Sequence, residues 1–261
     1  MKSSLKISTL LVLVFLSLPT LIVTLLSFSG DPYLSFLPSS WSLGSYIELF
    51  QSEELRSGIV RSLAAAGMTT AACVLVGVPA SLGVAAARPE VRSFLLAFLS
   101  LGFATPLIVS AVGVLIVYYQ LGIYGSLPSL ALGLCIVHLP FLLYTVAASV
   151  EGLDPQLEEA ACTLGARRVQ IVFLIKIPAL APGIIAGALL IFVLSITEFV
   201  VSMVLTNTSS ATLPVVMFGS LRSGATPTLA AVGTLYVVLA FAAVVAISKS
   251  KTLQQFLYRT D

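Results

Sequence analysis

Six stretches of this 261-residue chain are apolar over about twenty residues or more, the length a helix needs to cross a bilayer's hydrocarbon core. They fall at roughly 8–28, 60–86, 94–119, 128–149, 181–205 and 228–247. In lipid a backbone must satisfy its own polar groups, and a continuous apolar run of this length does so as a helix. The composition agrees. The chain is 58% hydrophobic and 9% charged, against about 25% charged in soluble domains. The expectation is therefore an all-α polytopic membrane helical bundle with six transmembrane helices, and residues 1–261 form one transmembrane domain. Pro106 and Pro140 fall inside two of the runs, where neighbouring helices can satisfy the carbonyls they free.

The same numbers exclude other classes. A net charge of +2, scattered along the chain, gives no basic face for nucleic acid. Cys73, Cys135 and Cys162 form neither a paired framework nor a zinc cluster. Cys73 and Cys135 read as packing residues. His138 is the sole histidine and cannot build a metal site by itself; it is expected to donate to a carbonyl near Pro140. No nucleophile–base pair marks a catalytic site. No phosphate-binding G-x4-G-K-[ST] loop is present, so the chain cannot hydrolyse ATP alone.

Orientation follows from Lys and Arg, which concentrate in cytoplasmic loops. With the N-terminus inside, Lys2, Lys6, Arg88, Arg92, Arg167, Arg168, Lys176, Lys249, Lys251 and Arg259 are cytoplasmic. Only Arg56, Arg61 and Arg222 lie outside. Both termini are then cytoplasmic, and the outer loops are about 29–59, 120–127 and 206–227. The first run follows Lys2 and Lys6 as in a signal peptide. It is longer than a typical apolar signal core and lacks a small-x-small cleavage site, so it reads as an uncleaved first helix. In the first outer loop, Trp41, Tyr46, Leu49 and Phe50 recur on one side of a short helix with Ser42 as its cap. Such a helix either closes the bundle or contacts a partner.

The longest charged break is 151–178, EGLDPQLEEAACTLGARRVQIVFLIKIP. Asp154-Pro155 is a helix start, because Asp caps free amides and proline suits the first helical position. Glu158 and Glu159 follow where the helix dipole favours acids, and Gly165 can close the helix by adopting positive φ. A short cytoplasmic helix between about 155 and 165 is expected, with a small-residue face that another protein can approach closely.

The spacing Glu159-Ala160-Ala161, then Gly165, Ile175 and Pro178 resembles the EAA loop of type I ABC importer permeases, the binding-protein-dependent transport inner membrane components. One place departs: Ile177 stands where the family usually has Leu. The likeness extends over the whole chain. It implies a permease subunit of an ATP-driven importer in a bacterial inner membrane, with no catalytic residue and no cofactor of its own. The loop would be a coupling helix docked on an ATPase through Glu158, Glu159, Ala160, Ala161, Gly165, Arg167 and Arg168. It further implies two ATPase subunits that bind ATP and magnesium, and a second permease, either a copy or a paralogue. An extracytoplasmic solute-binding protein would deliver the solute, and membrane lipid would surround the spans.

Glu198 is the only acid deep within a run, where a charge costs about 2.5–3.5 kcal/mol at mid-membrane. It either lines a solute pathway with Ser195 and Ser202, favouring amine-bearing solutes, or is a structural acid. Residues 212–231 resemble the matching segment in permeases for polyamines and aminoethylphosphonate, with Arg222 facing outward. Permeases for iron, thiosulfate or molybdate share parts of that segment and stand as the alternative. A stand-alone secondary transporter or a membrane scaffold is the alternative from another class. Gly183 and Gly187 form a G-x3-G pair suited to close helix packing.

Overall fold

The computed structural model describes residues 2–249, with side-chain surroundings for all of these except 2–5, 100–104, 151, 155, 243, 244 and 246–249. Lys251 and Arg259, counted above for orientation, lie outside the described residues. The chain is helical nearly throughout. Its helices are α1 (Lys2–Leu26), α2 (Gly44–Gln51), α3 (Glu53–Ala86), α4 (Pro89–Ala104), α5 (Leu107–Leu121) and α6 (Leu127–Glu151). They continue as α7 (Pro155–Thr163), α8 (Arg168–Ile171), a π-turn at Val172–Lys176, α9 (Ile177–Thr197), α10 (Val200–Leu205), α11 (Leu213–Leu221) and α12 (Pro227–Lys249). Among the described residues, four helical stretches are long and apolar enough to cross a membrane: Lys6–Leu26, Glu53–Ala86, Leu127–Val150 and Arg168–Thr197.

Several expected boundaries move, and α3 begins at Glu53 rather than 60. The third run is two helices, because Pro106 takes an extended backbone (φ −56°, ψ 132°) and caps α5. The fifth begins at Arg168 rather than 181 and stops at Thr197, because Glu198 is extended. Pro178 does not interrupt it. A proline has no N–H to give the carbonyl four residues back, and the turn before it widens instead, with the Ile177 N–H bonded to Val172 O. The outer segment expected as a loop at 206–227 contains α11.

The chain parts into two compact units. The first comprises residues up to Val60 with Thr212–Ala242. Leu49 of α2 is buried, and Tyr46 on the same helix pairs its hydroxyl with Ser27 Oγ at 2.7 Å. Thr228 Oγ1 donates to Glu48 Oε2 at 2.6 Å, tying α12 to α2. Trp41 and Phe50 are exposed, so the expected single face is divided. Ser42 acts one position earlier than expected: Leu43 is the N-cap residue, and Ser42 Oγ accepts the Gly44 N–H at 2.9 Å. The 29–42 loop closes on Asp31, whose carboxylate accepts from the Ser39 hydroxyl, the Ser39 N–H at 2.9 Å and Ser35 Oγ at 3.2 Å. Arg222 is exposed and lies 5.1 Å from the centre of the Phe218 ring.

The second unit runs from Arg61 to Ala211 and includes residues 243–249. Its main interface is α6 against α9. A Cβ at Gly183 would stand 2.8 Å from Thr145 O, and one at Gly187 would stand 2.6 Å from Leu142 Cδ1. The small-residue pair thus lets two backbones approach. Cys73, Val78, Cys135, Leu142, Val146, Leu180 and Ile191 form one buried cluster. The Cys73 and Cys135 sulfurs are 3.2 Å apart as free thiols. A second cluster joins Ala65, Ala111, Tyr118, Leu130, Leu134, Val201 and Leu205.

Candidate functional site

Helix α7 is built as its sequence dictates. Asp154 Oδ1 accepts the Gln156 N–H at 2.9 Å, and Pro155 occupies the first turn. At the other end Gly165 has φ +79°, a left-handed conformation natural to glycine. The Gly165 N–H bonds Cys162 O at 2.9 Å and the Ala166 N–H bonds Ala161 O at 3.0 Å. Those two bonds are the Schellman pattern, which satisfies the last carbonyls and stops the helix sharply.

The expected contact residues separate by exposure. Glu159, Ala160, Cys162, Leu164 and Gly165 are exposed, and Leu164 is 88% exposed. Ala161 is buried. The two alanines therefore do not form one outward face, because consecutive helical residues point about 100° apart. Ala161 packs into its own chain. Glu158 is engaged as well: its Oε2 lies 2.8 Å from Lys176 Nζ. Arg167 and Arg168 are exposed. The Arg167 N–H donates to Gln170 Oε1 at 2.8 Å, starting the next helix. Lys176 was not singled out from sequence as a partner of α7. Eighteen positions separate it from Glu158, and no helical periodicity links residues across a turn.

The second candidate is the break between α9 and α10. Glu198 takes φ −70°, ψ 120°, and its Oε1 accepts the Val201 N–H at 2.8 Å. The carboxylate therefore caps α10. Glu198 and Ser202 do not share the face of one continuous helix, as their four-residue spacing suggested, because the backbone is not helical at Glu198. Ser195 is buried, with its hydroxyl 2.9 Å from His138 Nδ1. The histidine thus meets a side chain of α9 rather than a carbonyl near Pro140. Ser202 Oγ and the Tyr118 hydroxyl are buried without a hydrogen-bond partner. Thr197 Oγ1 bonds back to Val193 O at 2.9 Å on its own helix.

This arrangement can do two things chemically. α7 offers a short, capped, mostly exposed surface with small residues beside an acid. The α9–α10 break brings a half-buried carboxylate and buried hydroxyls near one interrupted backbone. Among the described residues no group of three or more His, Cys, Asp or Glu could hold a metal ion.

Comparison with known proteins fixes the family. Residues 77–257 match the family described as binding-protein-dependent transport system inner membrane component. The spermidine/putrescine transport system permease protein PotC of Haemophilus influenzae is 30% identical over 232 residues, covering 88% of this chain and 90% of the relative. The putrescine transport system permease protein PotI of Escherichia coli is 29% identical over 228 residues, covering 85% and 81%. Among solved structures, a bacterial ABC transporter for the acidic polysaccharide alginate superposes with TM-score 0.73 at 16% identity, covering 95% of this chain and 93% of that one. The MetNI methionine ABC transporter gives 0.66 at 18% identity, covering 76% and 97%. These two share the fold. The chain belongs to the binding-protein-dependent transport system inner membrane components, as a permease subunit of an ABC importer.

Proposed function

We propose that this chain carries a polyamine or another amine-bearing solute, such as aminoethylphosphonate, into the cytoplasm by alternating access. It works in a single membrane domain of six spans with both termini cytoplasmic. α7 is its coupling helix. Two ATPase subunits bind ATP and magnesium, and one of them receives α7. A second permease, copy or paralogue, completes the pathway, and an extracytoplasmic binding protein delivers the solute.

The observation that carries this reading is α7 itself: a helix capped at both ends by its own sequence, with Glu159, Ala160 and Gly165 exposed. Its docking surface is Glu159, Ala160 and Gly165, flanked by Arg167 and Arg168. The choice of solute rests on the names of the polyamine relatives and on Glu198, whose carboxylate can meet an ammonium group. Ser195 and Ser202 flank that carboxylate in sequence and are buried, Ser195 against His138.

The test is purification from native membranes followed by uptake in proteoliposomes. The expected result is an ATP-binding subunit that travels with the chain and ATP-dependent uptake of radiolabelled putrescine. Uptake that ignores ATP, with no ATP-binding subunit attached, would overturn the proposal. Uptake that ATP drives for spermidine or aminoethylphosphonate but not putrescine would narrow the solute.

A further inference from the structure

The Glu158 carboxylate lies against the Lys176 ammonium at 2.8 Å, and we infer that this ion pair is the strut through which movement of α7 reaches α9. The inference rests on the reading of α7 as a coupling helix and deepens it. It moves Glu158 from the docking surface to the transmission behind it, as a positioning residue.

Three observations support this. First, α7 is not packed flat on its neighbours along its N-terminal half. A groove of about 330 Å³ lies between it, the π-turn and the ends of α3 and α6, with Ala86, Val150, Leu157, Glu158, Ile175 and Lys176 among its walls. The ion pair bridges that groove. Second, Ala161 and Ile171 are buried, so the far end of α7 and the segment after it are seated by apolar contact. The charged contact adds a tie near the middle of α7, between Ala161 and Leu153, which packs on the buried cluster just before the helix. Third, Lys176 is the last residue of the π-turn. A π-turn adds one residue to the helix, and one residue is about 100° of rotation. Lys176 therefore stands at the junction where the continuous helical stretch Arg168–Thr197 passes from its widened turn into α9. Force arriving at its ammonium enters a helix that runs unbroken to Thr197, about 30 Å at 1.5 Å per residue, and ends at the Glu198 break.

The pair is partly open to solvent, with Glu158 51% and Lys176 27% exposed. Exposed pairs add little to stability, so breaking this one leaves the fold in place and changes how firmly two elements move together. That separates a transmitting role from a structural one.

The experiment uses the whole permease–ATPase complex in nanodiscs. Spin labels are placed on the exposed native Cys162 and on an exposed site made by Leu174→Cys. In the otherwise native complex, the distance between the labels is expected to stay narrow and unchanged between the nucleotide-free state and the vanadate-trapped ATP state. In Glu158→Gln or Lys176→Met the distribution is expected to broaden on trapping, and putrescine uptake per ATP hydrolysed to fall severalfold. The charge swap Glu158→Lys with Lys176→Glu is expected to restore both. An interlabel distance that changes in the native complex overturns the inference, because the two elements then move separately. So do single variants with unchanged distances and stoichiometry. A charge swap that assembles but restores neither readout overturns it too, and returns Glu158 to direct contact with the ATPase. Loss of the ATPase from the native complex would instead remove the coupling reading itself, which distinguishes the two failures.

Discussion

His138 Nδ1 and Ser195 Oγ stand 2.9 Å apart between α6 and α9, both side chains buried. Each is the other's hydrogen-bond partner across an interface in which Thr145 and Ser149 of α6 also meet Gly187 and Gly183 of α9. Ser195→Ala would leave a ring nitrogen buried and unpaired. Such a loss costs about 1–3 kcal/mol in proteins generally, and about 0.6 kcal/mol is the average for side-chain hydrogen bonds measured within a membrane bundle. The expected outcome is a protein that still inserts and unfolds at a lower temperature in detergent. Ser195→Thr keeps the hydroxyl and is expected to recover most of the loss. Equal melting of all three would show that the contact contributes nothing.

Glu198 has two separable jobs, and two substitutions separate them. Its Oε1 accepts the Val201 N–H at 2.8 Å. Glu198→Gln retains an oxygen that can accept that bond, so α10 stays capped while the charge is gone. Glu198→Ala removes the cap as well, at about 1 kcal/mol. If the carboxylate meets an amine on its way through, putrescine uptake falls sharply in both variants, but thermal stability falls only in Glu198→Ala. Normal uptake by Glu198→Gln would leave the residue a helix cap and nothing more.

Much of this was legible before the structure, and the illegible part has a common cause. The ends of α7 could be read because capping is local: Asp154, Pro155 and Gly165 act on backbone groups within a few residues. Four of the six expected spans could be read as long apolar helices because bilayer thickness sets their length. What could not be read depends on backbone breaks and on contacts distant in sequence. Glu198 and Ser202 have helical spacing, yet the chain unwinds at Glu198. Ala160 and Ala161 look equivalent, yet only Ala161 is buried. His138 finds its partner 57 positions away. No periodicity within a window reports such pairings.

The close approach of α6 and α9 gives a prediction that turns on backbone, not side chain. A methyl group at Gly183 would meet Thr145 O and Ser149 Cβ, each at 2.8 Å. A carbonyl oxygen cannot swing aside as a flexible side chain can. Gly183→Ala is therefore expected to push the helices apart and cost about 1–3 kcal/mol, the range for overpacking a tight interface. Gly113, whose added Cβ meets nothing within 4 Å, is the control, and Gly113→Ala should be tolerated. The two melting curves in the same detergent check this.

The Asp31 loop predicts a pH response in the first unit. The Ser39 hydroxyl, then the Ser39 N–H, hold the Asp31 carboxylate below its usual range. A depressed carboxylate stabilises the folded loop above the unfolded pKa, and the contribution is lost as pH falls through the lower folded value. The loop at 29–42 is therefore expected to stay ordered through mild acid and loosen only in stronger acid. Asp31→Asn should loosen it at every pH. Hydrogen exchange at the Ser39 amide reads this directly, and protection that already disappears near neutral pH would refute it.

Gly165 offers the sharpest single substitution, because its conformation and its surroundings make opposite demands. Its φ of +79° strains any residue with a Cβ, by about 1–2 kcal/mol for an ordinary one. An added Cβ nevertheless meets nothing within 4 Å. The chain itself therefore has room for a larger side chain, at the cost of backbone strain alone. Asn tolerates this backbone region best among the others, so Gly165→Asn should keep α7 intact and keep partial ATP-driven uptake. Gly165→Trp should still insert in the membrane, since α7 lies between spans, but should block close approach of the ATPase. The readouts are membrane fractionation, co-purification of the ATPase and uptake of putrescine. A Gly165→Trp protein that binds the ATPase and imports normally would mean that nothing approaches this end of α7 closely, and the coupling surface would have to be sought elsewhere.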